Sequence, residues 1–345
     1  MNDEPLVIAS AANEKYATGL GVMMCSALLC SKQKTVVFHI LDDGILPKTK
    51  TQLRDSASRV ARLSGTVVEV NFIDFGRLSL PALSPLHGSL TTYGRIFLPD
   101  LLEEESVFYV DADIICNREF PLHKESALQY PDALLVGCID PVAELAKDCP
   151  WKDELSEGEY TLPNINCGFM WMNLKALREF GLQEKFRTLA EKGTHMRCGD
   201  QTALNFLCRG RIGLIDPNFN HFWNNRVGIK PENHCCNIHF VGKSKPWCGK
   251  ATIKLLLYIK HFNLAARYFG FTQNKVPKTL EIRLIASCWT LYLKLTFYWL
   301  TCSNRIEKTR RLMNKRRRVV AYTRSYEAKL DALFGSFSEE RRLQI

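Results

Sequence analysis

Seven short runs of apolar and β-branched residues, separated by longer segments, several of them helical in pattern, confine this chain to one broad fold class. The runs are LVIASAA (6–12), TVVFHILDD (35–43), GTVVEVNFID (65–74), SVFYVDADI (106–114), ALLVGCID (133–140), CGFMWMNL (167–174) and RIGLID (211–216). Between the second and third lies KTKTQLRDSASRVARL (48–63), whose apolar residues recur at helical spacing. Alternation of this kind predicts an α/β domain with a mainly parallel central sheet. With 345 residues, 46% of them hydrophobic, the chain can bury a full core. Ligands of such sheets lie beyond the carboxyl ends of the strands. Asn13, Asp42, Asp111 and Asp140 all fall at such ends.

The run FYVDADIICN (108–117) sets two acids two positions apart where an apolar strand ends. In an extended segment alternate residues share a face, so Asp111 and Asp113 are expected to point the same way. Two such carboxylates suit one hard divalent cation that keeps coordination positions open for phosphate oxygens. The same pair also suits a helix cap or a solvated turn. Three constellations lie downstream. LPNINCGFMWMNL (162–174) offers Asn166 as donor and acceptor, and Gly168, which lets backbone approach a ligand closely. CGDQTALNFL (198–207) places Asp200 and Gln201 at an expected helix N-terminus, where paired acceptors and amides suit sugar hydroxyls. NIHFVGKSKPW (237–247) supplies His239 as a nitrogen ligand, Gly242 for a tight turn and Lys245 as a point charge for phosphate.

Taken in order, VIASAANEKYATGLGVMMCSAL, FHILDDG, LTTYGRIFLPDLL, VDADI, NCGFMWMNL, GDQTALN and HFVGKSKPW resemble the motifs of glycosyltransferase family 8, over about residues 5–250. The basic, aromatic C-terminal tail resembles that of the family's branch that builds bacterial lipopolysaccharide. The resemblance implies a Rossmann-like GT-A fold and a retaining transferase that moves galactose or glucose from UDP to a lipopolysaccharide or lipooligosaccharide core acceptor. It implies Asp111, Asp113 and His239 as metal ligands. One nitrogen among oxygens favours Mn²⁺, with Mg²⁺ as the alternative.

It also implies donor contacts by Asn13, Tyr16, Arg95, Asp111, Ala112, Asn166, Gly168, Gly242 and Lys245. Tyr16 would stack on the base and Asn13 would meet the uracil edge, where the family usually has an acid. Lys15 departs from the family's small polar residue. A carboxylate nucleophile would be the ordinary route to retention, but the matching position is Gln201, a poor nucleophile. Same-face displacement is therefore implied, with Gln201 steadying the oxocarbenium-like state and Asp140 and Asp200 holding donor hydroxyls. Capping and turn hydrogen bonds are the alternative role for Asp140.

Charge divides the chain. Residues 1–250 hold 27 Lys and Arg against 30 Asp and Glu, and residues 251–345 hold 19 against 6. Within the basic part, the Leu-, Trp- and Tyr-rich EIRLIASCWTLYLKLTFYWLTC (281–302) carries a polar stripe at helical spacing. RIEKTRRLMNKRRR (305–318) follows with eight basic residues and one acid. This reads as an in-plane helix on the anionic inner face of the plasma (inner) membrane, or as an ordinary packed helix with a solvated face. Lys294 opposes a span. The expected divisions are a catalytic domain 1–250, a helical connector 251–279 and a membrane-associating tail 280–345.

The N-terminus MNDEPLVIASA shows no basic leader, so the expected location is cytoplasmic and peripheral to the membrane. No nucleic-acid partner is expected. The 13 cysteines form no regular framework and read as buried free thiols. Two rival functions stand beside the transferase. An aspartyl-phosphate phosphohydrolase also uses Asp-x-Asp after a strand, but its usual Thr or Val is here Ile115, and it leaves the Gln201 and Lys245 motifs unexplained. A non-catalytic lipid- and nucleotide-binding scaffold would not need the set Asp111, Asp113, Gln201, His239 and Lys245.

Overall fold

The computed structural model describes residues 4–86, 88–121, 129–143, 148–192, 196–223, 236–247, 262–271, 317, 320–321 and 323–334. The chain divides into two compact units, Met1–His239 and Phe240–Ile345.

The strands of the first unit, in chain order, are β1 Leu6–Ala12, β2 Thr35–Asp42, β3 Val67–Asp74, β4 Ser106–Val110, β5 Ile114–Ile115, β6 Leu135–Ile139, β7 Ile165–Asn173, β8 Ile212–Leu214, β9 His221–Phe222 and β10 Ile238–His239. Among the described residues, its α-helices include α1 Ala17–Cys30, α2 Pro47–Ser64, α3 Leu98–Leu101, α4 Leu174–Phe180, α5 Leu182–Lys192 and α6 Asp200–Leu207. Seven strands form one sheet in the order β3-β2-β1-β4-β7-β6-β8. The pairs β1–β2, β2–β3, β1–β4 and β6–β8 are parallel. Among the described strands of this sheet only β7 runs against its neighbours, antiparallel to both β4 and β6. That reversal brings the beginning of β7 beside the carboxyl ends of β4 and β6, so residues from three separate motifs meet at one edge.

Local sequence accounts for several of these elements. Pro47 occupies the first turn of α2 and Gly65 ends it at φ 68°, a left-handed conformation that costs glycine little. Helix α1 is buried almost all round, from Ala17 to Leu28, which explains why it carries no polar face. Its Leu20, Val22, Met23, Met24 and Leu28 are fully buried, each stabilising by roughly 1.5–3 kcal/mol relative to exposure. The middle of β7 packs Phe169, Met170, Trp171 and Met172 into the core, as the continuous apolar run predicts.

A second sheet of three short strands, β5-β10-β9, positions the metal-type residues. β10 pairs antiparallel with β5, setting His239 opposite Ile114, and parallel with β9. The buried Asn237 side chain fastens this sheet by accepting the backbone N–H groups of Asn117 at 2.8 Å and Arg118 at 3.0 Å.

In the second unit, helical residues 262–269 and 323–334 are described. Phe262 packs on Phe240 and Trp247, with ring centroids 5.8 and 5.1 Å apart. Phe334 packs on Tyr268 and Phe269. The aromatic stretch 281–302 and the basic residues 305–316 lie outside the described residues. Among the described residues, no helix is long and apolar enough to cross a membrane.

Candidate active site

Strand β4 stops at Val110, and Asp111, Ala112 and Asp113 form a turn closed by Ile114 N–H donating to the Asp111 carbonyl at 3.1 Å. The expectation that an extended segment aims both acids to one side is thus corrected. The turn and the β5–β10 pairing bring the carboxylates together instead. Potential ligand atoms of Asp111, Asp113 and His239 all lie within 4.8 Å of one another. His239 Nε2 stands 3.2 Å from Asp113 Oδ1 and 3.7 Å from Asp111 Oδ2. Two carboxylates and an imidazole match the donors that Mn²⁺ accepts, so the residues present fit such an ion.

Gly168 is what makes the arrangement sterically feasible. Its carbonyl accepts Asp111 N–H at 2.8 Å, which extends the β4–β7 pairing past the end of β4. A Cβ at this position would stand 2.3 Å from His239 Cε1 and 2.9 Å from Asp111 Oδ2.

A buried cation lies behind the metal-type residues. Arg95 is 3% exposed, donates through Nη2 to Asp111 Oδ1 at 2.9 Å and through Nε to the Thr92 carbonyl at 3.1 Å, and forms an ion pair with Asp200, whose Oδ2 lies 2.9 Å from Nε. It also donates to the Cys167 carbonyl and stacks 4.1 Å over the Tyr109 ring. Burial pulls the guanidinium pKa down, but Asp111 and Asp200 more than compensate and hold it above its ordinary value. The expectation that Asp200 holds a donor hydroxyl meets a side chain at 2% exposure, engaged by Arg95.

Burial pushes the Asp200 carboxyl up to about 6, with Arg95 pulling the other way. A carboxyl raised in the folded state penalises folding fully above that value, and the penalty fades as pH falls towards the unfolded value of 3.8. Relative to Asp200→Asn, the wild-type chain should therefore gain about 1–3 kcal/mol of stability between pH 7 and pH 4. Urea midpoints at the two pH values measure this, and an unchanged difference would contradict the raised value.

On the other side of Gly168 lies an amide network. Asn166 Nδ2 donates to Asp140 Oδ2 at 3.1 Å and to Gln201 Oε1 at 2.9 Å. Gln201 Nε2 donates to the same Asp140 oxygen at 3.0 Å. Asp140 Oδ1 accepts the N–H groups of Val142 and Ala143 at 2.8 and 2.9 Å, so the one carboxylate both closes a turn and joins the network.

Helix α6 is registered on β7 by Asn205, whose side chain exchanges hydrogen bonds with Ile165 N–H and C=O at 2.8 and 2.9 Å. Gln201, one turn earlier, is thereby set over Asn166. Asn205 is a residue that sequence reasoning missed, although its motif was read. Asn220, directly before β9, is another: its Oδ1 lies 2.8 Å from His239 Nδ1 and its Nδ2 donates to Asn166 Oδ1 at 2.8 Å.

Asn13 follows β1, is half-buried, and accepts Lys15 N–H at 3.2 Å. Tyr16 is half-buried. Glu14 is committed elsewhere, accepting Leu46 N–H and the Thr49 hydroxyl at 2.9 Å each. Ala112 is buried between the two acids. Gly242 and Lys245 belong to the second unit. Gly242 is exposed in a left-handed turn at φ 89°, and Lys245 is buried and donates to the Phe240 carbonyl at 2.7 Å. The described cysteines are free. Burial drives the thiols of Cys25, Cys116, Cys167 and Cys208 well up, which makes them inert core residues.

A mainly parallel α/β sheet with clustered Asp-x-Asp and His ligand atoms at its strand ends, beside a polar amide network, defines a GT-A glycosyltransferase. The chain belongs to glycosyl transferase family 8, whose model matches residues 7–251. It is similar to the lipopolysaccharide 1,2-glucosyltransferase of Escherichia coli, 23% identical over 274 residues that cover 74% of this chain and 77% of that one. It is 25% identical to the lipopolysaccharide 1,3-galactosyltransferase of Salmonella typhimurium over 257 residues, 70% of this chain and 72% of that one. Among solved structures, the galactosyltransferase LgtC, crystallised with donor and acceptor sugar analogs, shares the fold with a TM-score of 0.60. That likeness is at 21% identity and covers 81% of this chain and all of the other. The chain is a glycosyltransferase, acting with a nucleotide-sugar donor and an acceptor.

Proposed function

We propose that this protein is a retaining hexosyltransferase that moves galactose or glucose from UDP to a lipopolysaccharide or lipooligosaccharide core, forming an α-linkage. The observation that carries the reading is Gln201 at the centre of the amide network, adjoining the cluster Asp111, Asp113 and His239. A glutamine there cannot serve as the carboxylate nucleophile of a two-step retention. The acceptor hydroxyl therefore enters on the face from which diphosphate departs, and a phosphate oxygen takes its proton.

Asp111, Asp113 and His239 would hold Mn²⁺, or Mg²⁺ in its place, which supplies a Lewis acid for the charge developing on the leaving diphosphate. Arg95 orients Asp111 through their ion pair and is itself paired with Asp200. Asp140, Asn166 and Gln201 present fixed oxygens and amides to the sugar. Because they are pre-oriented by one another, they need not reorganise as oxocarbenium character develops. By the family resemblance, Asn13 and Tyr16 would meet the base and Gly242 and Lys245 would serve the diphosphate. The basic tail would keep the enzyme at the cytoplasmic membrane surface, where the lipid-linked acceptor resides.

The test is a donor comparison, UDP-galactose against UDP-glucose with Mn²⁺, followed by proton NMR of the product's anomeric signal. An α signal is expected from an α donor. Gln201→Ala should lower kcat about 10²-fold while changing KM for the donor little, because the side chain acts mainly on the transition state. A β product would overturn the retaining assignment, and a Gln201→Ala chain at wild-type kcat would remove Gln201 from the transition state.

A further inference from the structure

The hydrogen bonds around Asn166 run in one direction, and the direction is forced. Gly168 N–H can only donate, and it donates to Asn166 Oδ1 at 3.1 Å. The Asp140 carboxylate can only accept, and it takes Asn166 Nδ2 at 3.1 Å. The Asn166 amide is therefore oriented without ambiguity, oxygen towards Gly168 and nitrogen towards Asp140. Any further partner of that oxygen must be a donor. Asn220, 6% exposed, meets it at 2.8 Å, so its amide nitrogen faces Asn166 and its amide oxygen faces His239. An oxygen 2.8 Å from His239 Nδ1 requires a proton on that nitrogen. In the neutral ring, the form that binds a metal, Nε2, which faces Asp111 and Asp113, then carries the lone pair.

We infer that Asn220 is a positioning residue: it fixes His239 in the Nδ1–H tautomer that offers Nε2 to a metal, and ties that ligand through Asn166 to Gln201. The inference deepens the metal-dependent reading above and rests on it. Metal-bound imidazoles are generally oriented by an acceptor on the other ring nitrogen, and loss of that acceptor weakens binding. Here the acceptor is a neutral amide whose second function is to donate to Asn166. One side chain thus serves the metal side through its oxygen and the sugar side through its nitrogen, and the two can be separated by substitution. Asn220→Ala removes both groups. Asn220→Asp keeps an acceptor of nearly the same shape and loses the donor.

The experiment measures Mn²⁺ affinity by electron paramagnetic resonance of the free ion, with UDP present, on the full-length chain and without turnover. Donor kcat and the melting temperature are read in parallel. Asn220→Ala should bind Mn²⁺ about 10–100-fold more weakly than wild type. Asn220→Asp should recover the affinity to within about threefold of wild type while its kcat stays about tenfold down, because Asn166 has lost a donor. Wild-type Mn²⁺ affinity in a folded Asn220→Ala chain would overturn the inference. So would an Asn220→Asp chain that melts like wild type yet has lost Mn²⁺ as fully as His239→Ala. If Asn220→Ala does not fold, the Asn220→Asp comparison decides alone. Asp113→Ala separates the two levels: undiminished Mn²⁺ binding there removes the metal site itself, whereas loss there with no effect at Asn220 removes only the positioning role.

Discussion

Asp113→Ala should lower sugar transfer by roughly 10³-fold and abolish the Mn²⁺ dependence of UDP binding. Asp113 is 7% exposed, and its Oδ1 is the nearest carboxylate oxygen to His239 Nε2. Without it, a bound cation would keep one carboxylate and one imidazole, and the diphosphate charge would be poorly balanced. His239→Ala should produce a loss of similar size. The fold should tolerate both changes, because the β5–β10 pairing is made by backbone groups. Turnover and Mn²⁺-dependent UDP affinity are the measurements. An Asp113→Ala enzyme that turned over near the wild-type rate, with the same metal requirement, would end the assignment of this cluster to a metal.

Arg95→Ala should be the most destabilising single change in the site, costing about 3–5 kcal/mol. The guanidinium stands between two carboxylates, one of them buried, and also donates to the backbone of β7. Its removal leaves Asp200 buried without its cation and frees Asp111 from its orientation. Arg95→Lys should lose less, since an ammonium can serve one carboxylate but cannot span both with a planar fork. Urea unfolding of the three proteins ranks them wild type, Lys, Ala. Equal stability of Arg95→Ala and wild type would show that the pair of ion pairs contributes nothing net.

The main sheet was legible in the sequence because each of its strands carries its own apolar run. β1, β2 and β3 coincide with LVIASAA, TVVFHILDD and GTVVEVNFID to within a residue or two at each end. What could not be read was direction. β7 is continuous and apolar whichever way it runs, so nothing in CGFMWMNL announces that it is antiparallel. The small sheet was invisible for a different reason: β5, β9 and β10 are two residues each, too short for any periodicity. The convergence of Asp111, Asp113 and His239 was expected from family resemblance, while the pairing that achieves it was not. Asn220 follows Pro217 and Asn218, and such a residue reads as a turn. Its hydrogen bonds to two distant motifs belong to tertiary structure alone.

Gly168 gives the enzyme's activity a diagnostic value that reaches beyond chemistry. The space that its missing side chain leaves is occupied by His239 and Asp111. A slip of β7 by one position along β4 would bring Cys167 or Phe169 to that point and turn every side chain of the strand to the opposite face. Such a misfolded chain would not be a weakened catalyst or one of altered specificity; it would have no room for its own ligands. Transfer activity therefore counts only molecules whose central strands have docked in the correct register, and a refolding experiment followed by activity would be timing that docking event.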